Sequence, residues 1–194
     1  MSLVELIARA DGRGLTASGL ACLDRCVPLL GGDDEILRPL WASLADGADA
    51  GEWTARLEQA RLKLDLDEPD VLTVSGASAE GEATLLARRM LAAAPANRSA
   101  AGVREWADAC SVAALRIHRL LDASATGASS VDPHREGRTE GMSPLVAAEL
   151  RRQTRVLELL AEHGSGGLRQ AMAVSTEGRR VLRAVVSRRA RGRG

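Results

Sequence analysis

Apolar residues recur along most of this chain at three- and four-residue spacing, the period of an amphipathic α-helix. Leu37, Leu40, Trp41 and Leu44 follow it, as do Trp53 and Leu57 with Arg61 four residues on. The longest stripe is Val103, Trp106, Cys110, Ala113 or Ala114, Ile117 and Leu121. Another runs through Val146, Leu150, Leu157 and Leu160, with Gln153 interrupting it.

Cap and breaker residues divide these stripes into elements. Ser2 and Glu5 make a capping box for a short helix to about residue 10, which Asp11-Gly12-Arg13-Gly14 breaks. Thr16 is placed to cap a second helix ending near Leu30, ahead of Gly31-Gly32. Asp33-Asp34-Glu35 gives a third helix an acidic first turn, and Pro39 either kinks it or moves its start later. A fourth helix covers about residues 52–64. Ser78 caps a helix stopped before Pro95, and Ser99 caps one reaching about residue 123. Ser143-Pro144 opens a helix running to about His163. A last helical region covers about residues 168–190, with Ser175-Thr176 as a candidate break. Val71-Leu72-Thr73-Val74 is the one strand-like run, and without a partner strand it reads as loop or a helical turn.

The prediction is an all-α fold, a helical bundle of about seven helices with no significant sheet. Residues 1–123 form an acidic-to-neutral helical body. Residues 124–142, rich in Ser and Gly, form a loop or linker. Residues 143–194 form a C-terminal helical hairpin with an arginine-rich last helix, and the three parts make one compact domain.

Composition sharpens this reading. The chain has 34 Ala and 28 Leu but no Phe or Tyr, so a sheet would lack its usual β-branched and aromatic faces. Trp41, Trp53 and Trp106 are the only large rings and read as core anchors between Ala-rich helices. Arginine outnumbers lysine 25 to 1, the single lysine being Lys63.

The net charge of zero hides a gradient. Residues 1–87 carry 16 acidic and 7 basic side chains, a net of −9; residues 88–144 carry a net of +2; residues 145–194 carry a net of +7. An acidic body with a basic end points to self-docking, association between copies, or a polyanionic partner.

Candidate chemistry is sparse. Cys22 and Cys26 share one helix face and could in principle share a metal with Cys110 or a histidine, but no Cys-x-x-Cys pair is present, and a core role fits better. His118 sits between Arg116 and Arg119 with Glu105 and Asp108 on the same helix; nothing local demands catalysis. The acidic run from Asp65 to Asp70 starts like a calcium loop, then fails at Pro69 and at Gly76 in the twelfth position. Gly12-x-Gly14-x-x-Ala17 follows a helix rather than a strand, so it is not a dinucleotide fingerprint. No nucleophile elbow or Walker loop occurs. No catalytic residue, metal ligand or cofactor is assigned, and the balance leans away from an enzyme.

The sharpest feature is C-terminal. Arg179, Arg180, Arg183, Arg188 and Arg189 interleave with Val181, Leu182, Val185 and Val186 to give an apolar stripe flanked by guanidinium groups. The stripe is expected to dock on the body while arginines pair with the acidic half. The sequence therefore reads as a non-catalytic interaction or regulatory module that self-associates through its helix faces and this last helix. The alternative is a nucleic-acid-binding regulator using the same arginines on phosphates. A third reading is a helical enzyme or small-ligand carrier with a pocket near Trp106, Cys110 and His118. No apolar run is long enough to cross a membrane and no signal peptide is visible, so the expected location is the cytoplasm.

Overall fold

The computed structural model describes residues 1–45, 47, 50–64, 78–124 and 130–192. The fold is all-α, with no strand among the described residues. Its helices are α1 (Leu3–Arg9), α2 (Gly12–Cys26), α3 (Arg38–Ala45), α4 (Ala50–Lys63), α5 (Ala79–Ala92), α6 (Ala100–Leu121), α7 (Asp132–Arg135), α8 (Pro144–His163) and α9 (Leu168–Arg191). The strand-like run at Val71 to Val74 and the acidic run from Asp65 to Asp70 lie outside the described residues.

Several boundaries differ from the sequence expectation, each for a local reason. The Asp11-Gly12-Arg13-Gly14 break is the cap and first turn of α2: Asp11 Oδ1 accepts from the Gly14 N–H at 2.7 Å. Thr16 is therefore not the cap, and its hydroxyl donates back to Gly12 O. Pro39 moves the start of α3 later, because proline is tolerated only in a first turn. Ser143 precedes α8 without a side-chain cap bond; Asp122 Oδ2 reaches across instead and accepts from the Leu145 N–H at 2.9 Å. Ser175 and Thr176 do not break α9. Their hydroxyls donate to Ala171 O and Met172 O one turn back, which hides the polar groups against the helix itself.

α2 is the axle of the fold. Every residue from Gly14 to Cys26 is buried, with α6, α8 and α9 packed around it. A helix enclosed on all sides is normally apolar all round, yet α2 carries Thr16, Ser18, Asp24 and Arg25. Close approach of α6 depends on Gly19, where a Cβ would lie 2.7 Å from the Trp106 ring. Trp53 and Trp106 are core anchors, donating their indole N–H groups to Pro95 O and Met90 O at 2.9 Å each. Within the segment read as a linker, Val131 at the N-cap of α7 packs against Leu115 and Val146, and α7 itself buries His134 and Arg135.

Candidate functional site

The buried polar residues of α2 define the electrostatic centre of the molecule. Arg25 grips Glu149 of α8 in a two-pronged contact: Nε donates to Oε2 at 2.8 Å and Nη2 to Oε1 at 2.6 Å. Both side chains are wholly buried. The planar guanidinium matches the carboxylate plane, which makes this the strongest type of side-chain pair. Burial alone would raise the Glu149 carboxyl; the Arg25 guanidinium outweighs it and holds the group below the usual carboxylate range.

A shell of neutral groups completes the pair. Gln153 donates to Glu149 Oε1 at 2.9 Å and to Ser111 O, while its own carbonyl accepts from the Ser111 hydroxyl at 2.6 Å. Arg135 of α7 extends the chain outward through Ser111 to Asp108. On the other side Arg25 meets the Ser175 hydroxyl and the Cys22 sulfur at 3.4 Å each. The interruption of the α8 stripe at Gln153 is thus where the helix faces this network.

His118 is the group left incomplete. Its Nδ1 lies 2.7 Å from Ala114 O, and a carbonyl only accepts, so Nδ1 carries the proton. Nε2 then presents a lone pair to Glu149 Oε2 at 3.6 Å, with no hydrogen bond. Burial holds the imidazole below its ordinary titration range, and Glu149 opposes that only in part. An imidazole beside a carboxylate has the makings of acid–base chemistry, but both are fully enclosed and no substrate can reach them.

The three cysteines lie in the same core, unbridged. Burial pushes the Cys22 thiol up to about 12 and raises Cys26 and Cys110 well above the ordinary thiol range. No group of three or more His, Cys, Asp or Glu side chains among the described residues is arranged to hold a metal.

The last helix carries the sequence-predicted interaction residues, and the structure divides them. Arg179 is buried, with Nη1 donating to Asp24 at 2.5 Å and Nε 3.2 Å from Asp34. Arg183 is half-exposed and bonds Asp34 at 2.6 Å. Arg189 bonds Glu80 at 2.9 Å and Leu121 O at 3.4 Å. Leu182 is fully buried, Val185 and Val186 pack partly on the core, and Val181 is half-buried. Arg180 and Arg188 face outward, and among the described residues Arg188 bonds only Ala184 O of its own helix. Trp106, Cys110 and His118, the residues of the third reading, are core side chains at 3%, 0% and 0% exposure.

Sequence reasoning missed Arg25, Glu149 and Asp24. A signal existed: Arg25, next to Asp24, lies between Cys22 and Cys26 at the end of the mainly small and apolar run from Ala17 to Leu23, and Glu149 falls at helical spacing from Val146 and Gln153. No family model, no curated protein and no solved structure matches this chain.

Proposed function

We propose that this chain is a non-catalytic helical interaction module whose contact surface is the outward face of α9 and whose first partner is a second copy of itself. The observation that carries this reading is the division of labour on α9. Its inward arginines, Arg179, Arg183 and Arg189, are occupied by Asp24, Asp34 and Glu80 of the same chain. Its outward ones, Arg169, Arg180, Arg188 and Arg191, are exposed and have no carboxylate partner among the described residues. Glu177 is the single acid on the helix. A rigid row of unpaired cations, on a chain whose first 87 residues carry a net of −9, favours association between copies and sets its orientation.

The test is molar mass by light scattering after size exclusion, at low and high salt, for the native chain and for Arg169→Glu with Arg180→Glu and Arg188→Glu. These positions are exposed, so the fold tolerates the changes. An oligomer that salt or the triple variant dissociates supports the reading. A monomer under all conditions, or an unchanged oligomer in the variant, overturns it.

One observation favours a second reading. Arg169, Arg180 and Arg191 recur every eleven residues, close to three full turns, and so lie along one line of the helix about 16 Å apart. Such a row also suits phosphates. In that case a duplex DNA or RNA probe shifts on a gel, salt abolishes the shift, and the triple variant loses it.

A further inference from the structure

A cleft of about 500 Å³ opens where the end of α8 meets α1 and the first turn of α2. Its floor is Leu157, Leu160 and Ala161 of α8, and its wall is Leu6 of α1 with Ala10, the residue that ends that helix. Leu160 belongs to the main core, and Leu157 to the smaller core that α1 closes with Leu3 and Ile7. The cleft lies on the seam between these two apolar clusters. No residue of α9 lines it, so it is separate from the proposed association face.

Two ionised side chains stand at the mouth, Arg9 and Asp11, both exposed to solvent. They do not pair with each other, and neither has an ionic partner among the described residues. Arg9 Nη1 reaches only the Met1 sulfur, a weak acceptor, at 3.8 Å. Asp11 Oδ1 caps α2 by accepting from the Gly14 N–H at 2.7 Å, which leaves Oδ2 open. Glu5, one turn before Arg9, has its carboxylate on the Ser2 N–H at 2.7 Å. Arg104 of α6 holds the turn that carries both groups, donating to Ile7 O at 2.9 Å, Ala8 O at 3.2 Å and Ala10 O at 3.4 Å. The mouth is therefore preset, with one cation and one anion. A ligand with a single charge is drawn to one of them and repelled by the other, whereas a zwitterion is drawn to both. Two residues of chain span at most about 7 Å, so the two ligand charges must lie close together, as they do on one α-carbon.

We propose that this cleft binds a free α-amino acid with a large aliphatic side chain, its carboxylate on Arg9, its ammonium on Asp11 and its side chain on Leu157 and Leu160. The ordinary features of a small-ligand site are met: a concave apolar lining, and a few polar groups converging at one end. The site stands whether or not α9 meets a partner.

Leucine is the probe, titrated into the full chain by calorimetry and located by the methyl signals of Leu6, Leu157 and Leu160 in a ¹H–¹³C spectrum. Three analogues each lack one part: 4-methylpentanoate the ammonium, 3-methylbutylamine the carboxylate, and glycine the side chain. The expected result is saturable binding of leucine, with shifts at those three leucines, and binding at least about tenfold weaker for each analogue, the equivalent of one lost charge-assisted or apolar contact. Arg9→Gln weakens leucine by the same factor and removes its advantage over 3-methylbutylamine. Asp11→Asn keeps the cap, since Asn serves that position as well as Asp, and removes the advantage over 4-methylpentanoate. Ala161→Phe fills the cleft from an exposed position and abolishes binding at unchanged helicity. No saturable response to leucine, or binding that survives Ala161→Phe, overturns the site. Equal binding of leucine and either singly charged analogue, or no effect of Arg9→Gln or Asp11→Asn, overturns recognition of a zwitterion.

Discussion

Gly178 lies directly over the stem of Arg25: a Cβ at position 178 would come within 2.3 Å of Arg25 Cδ and 3.0 Å of Arg152 Cδ. The absent side chain is what lets α9 close over the buried guanidinium. Arg25 cannot swing aside, because Glu149 holds it by both prongs. Gly178→Ala therefore destabilises by about 1–3 kcal/mol from overpacking, with at most about 1 kcal/mol returned by helix propensity. Gly12→Ala, where nothing lies within 4 Å, serves as the control and is neutral or stabilising. Urea unfolding midpoints of the two variants test this.

The Arg25–Glu149 pair is expected to be costly to break and cheap to replace. Glu149→Ala leaves Arg25 charged and unpaired in the core, at a cost of about 3–5 kcal/mol. Arg25→Met combined with Glu149→Leu removes both charges and keeps the volume, and it recovers most of that loss. Equal loss in the single and double variants would show that the pair's value lies in its geometry and not in mutual charge compensation.

Stability should fall on mild acidification. His118 is held below its ordinary 6.5 by burial. Below that pH the unfolded chain takes up a proton that the folded chain refuses, so stability declines as pH drops from about 6.5. Glu149, whose folded value is depressed, adds a second loss in the same direction at pH below its ordinary 4.5. His118→Gln removes the first component and flattens the profile just below 6.5. Unfolding free energies from urea titrations across this range check both the slope and its removal.

Cys22, Cys26 and Cys110 should be silent toward thiol reagents in the folded protein. Each is at most 1% exposed, and burial holds each in the unreactive thiol form. Titration with a chromogenic disulfide reagent at neutral pH is expected to find none of the three without denaturant and all three with it. Fast labelling in the native state would mean that α2 (Cys22, Cys26) or α6 (Cys110) becomes exposed far more often than its burial implies.

Legibility followed period and cap chemistry. The stripe from Val103 to Leu121 placed α6 because its buried residues recur at helical spacing, and Ser78 and Ser99 were correct caps because each accepts from a backbone N–H three residues on. Asp11 reads as a breaker in the sequence because Asp-Gly suits turns as well as it suits a helix start, and the burial that decides between them is tertiary. The same holds for Ser175 and Thr176, whose back-bonding is invisible in composition. Docking of the C-terminal stripe was expected from Leu182 and the charge gradient, but which arginines face inward depends on helix phase against α2 and α3. The core pair could not be read locally, since Arg25 and Glu149 are separated by 124 residues and no periodicity links them. Its trace was two charged residues at apolar-phase positions.

That separation has a consequence for how the chain is made. The central helix is synthesised first among its neighbours, and its counterion comes 124 residues later. At translation rates of about 5–20 residues per second, Arg25 waits roughly 6–25 s for Glu149, and Asp24 waits longer for Arg179. During that interval α6 is already available to cover one side of α2, but the charges of Asp24 and Arg25 lack their partners. The faces of α2 that meet α8 and α9 therefore stay uncovered until the last two long helices emerge.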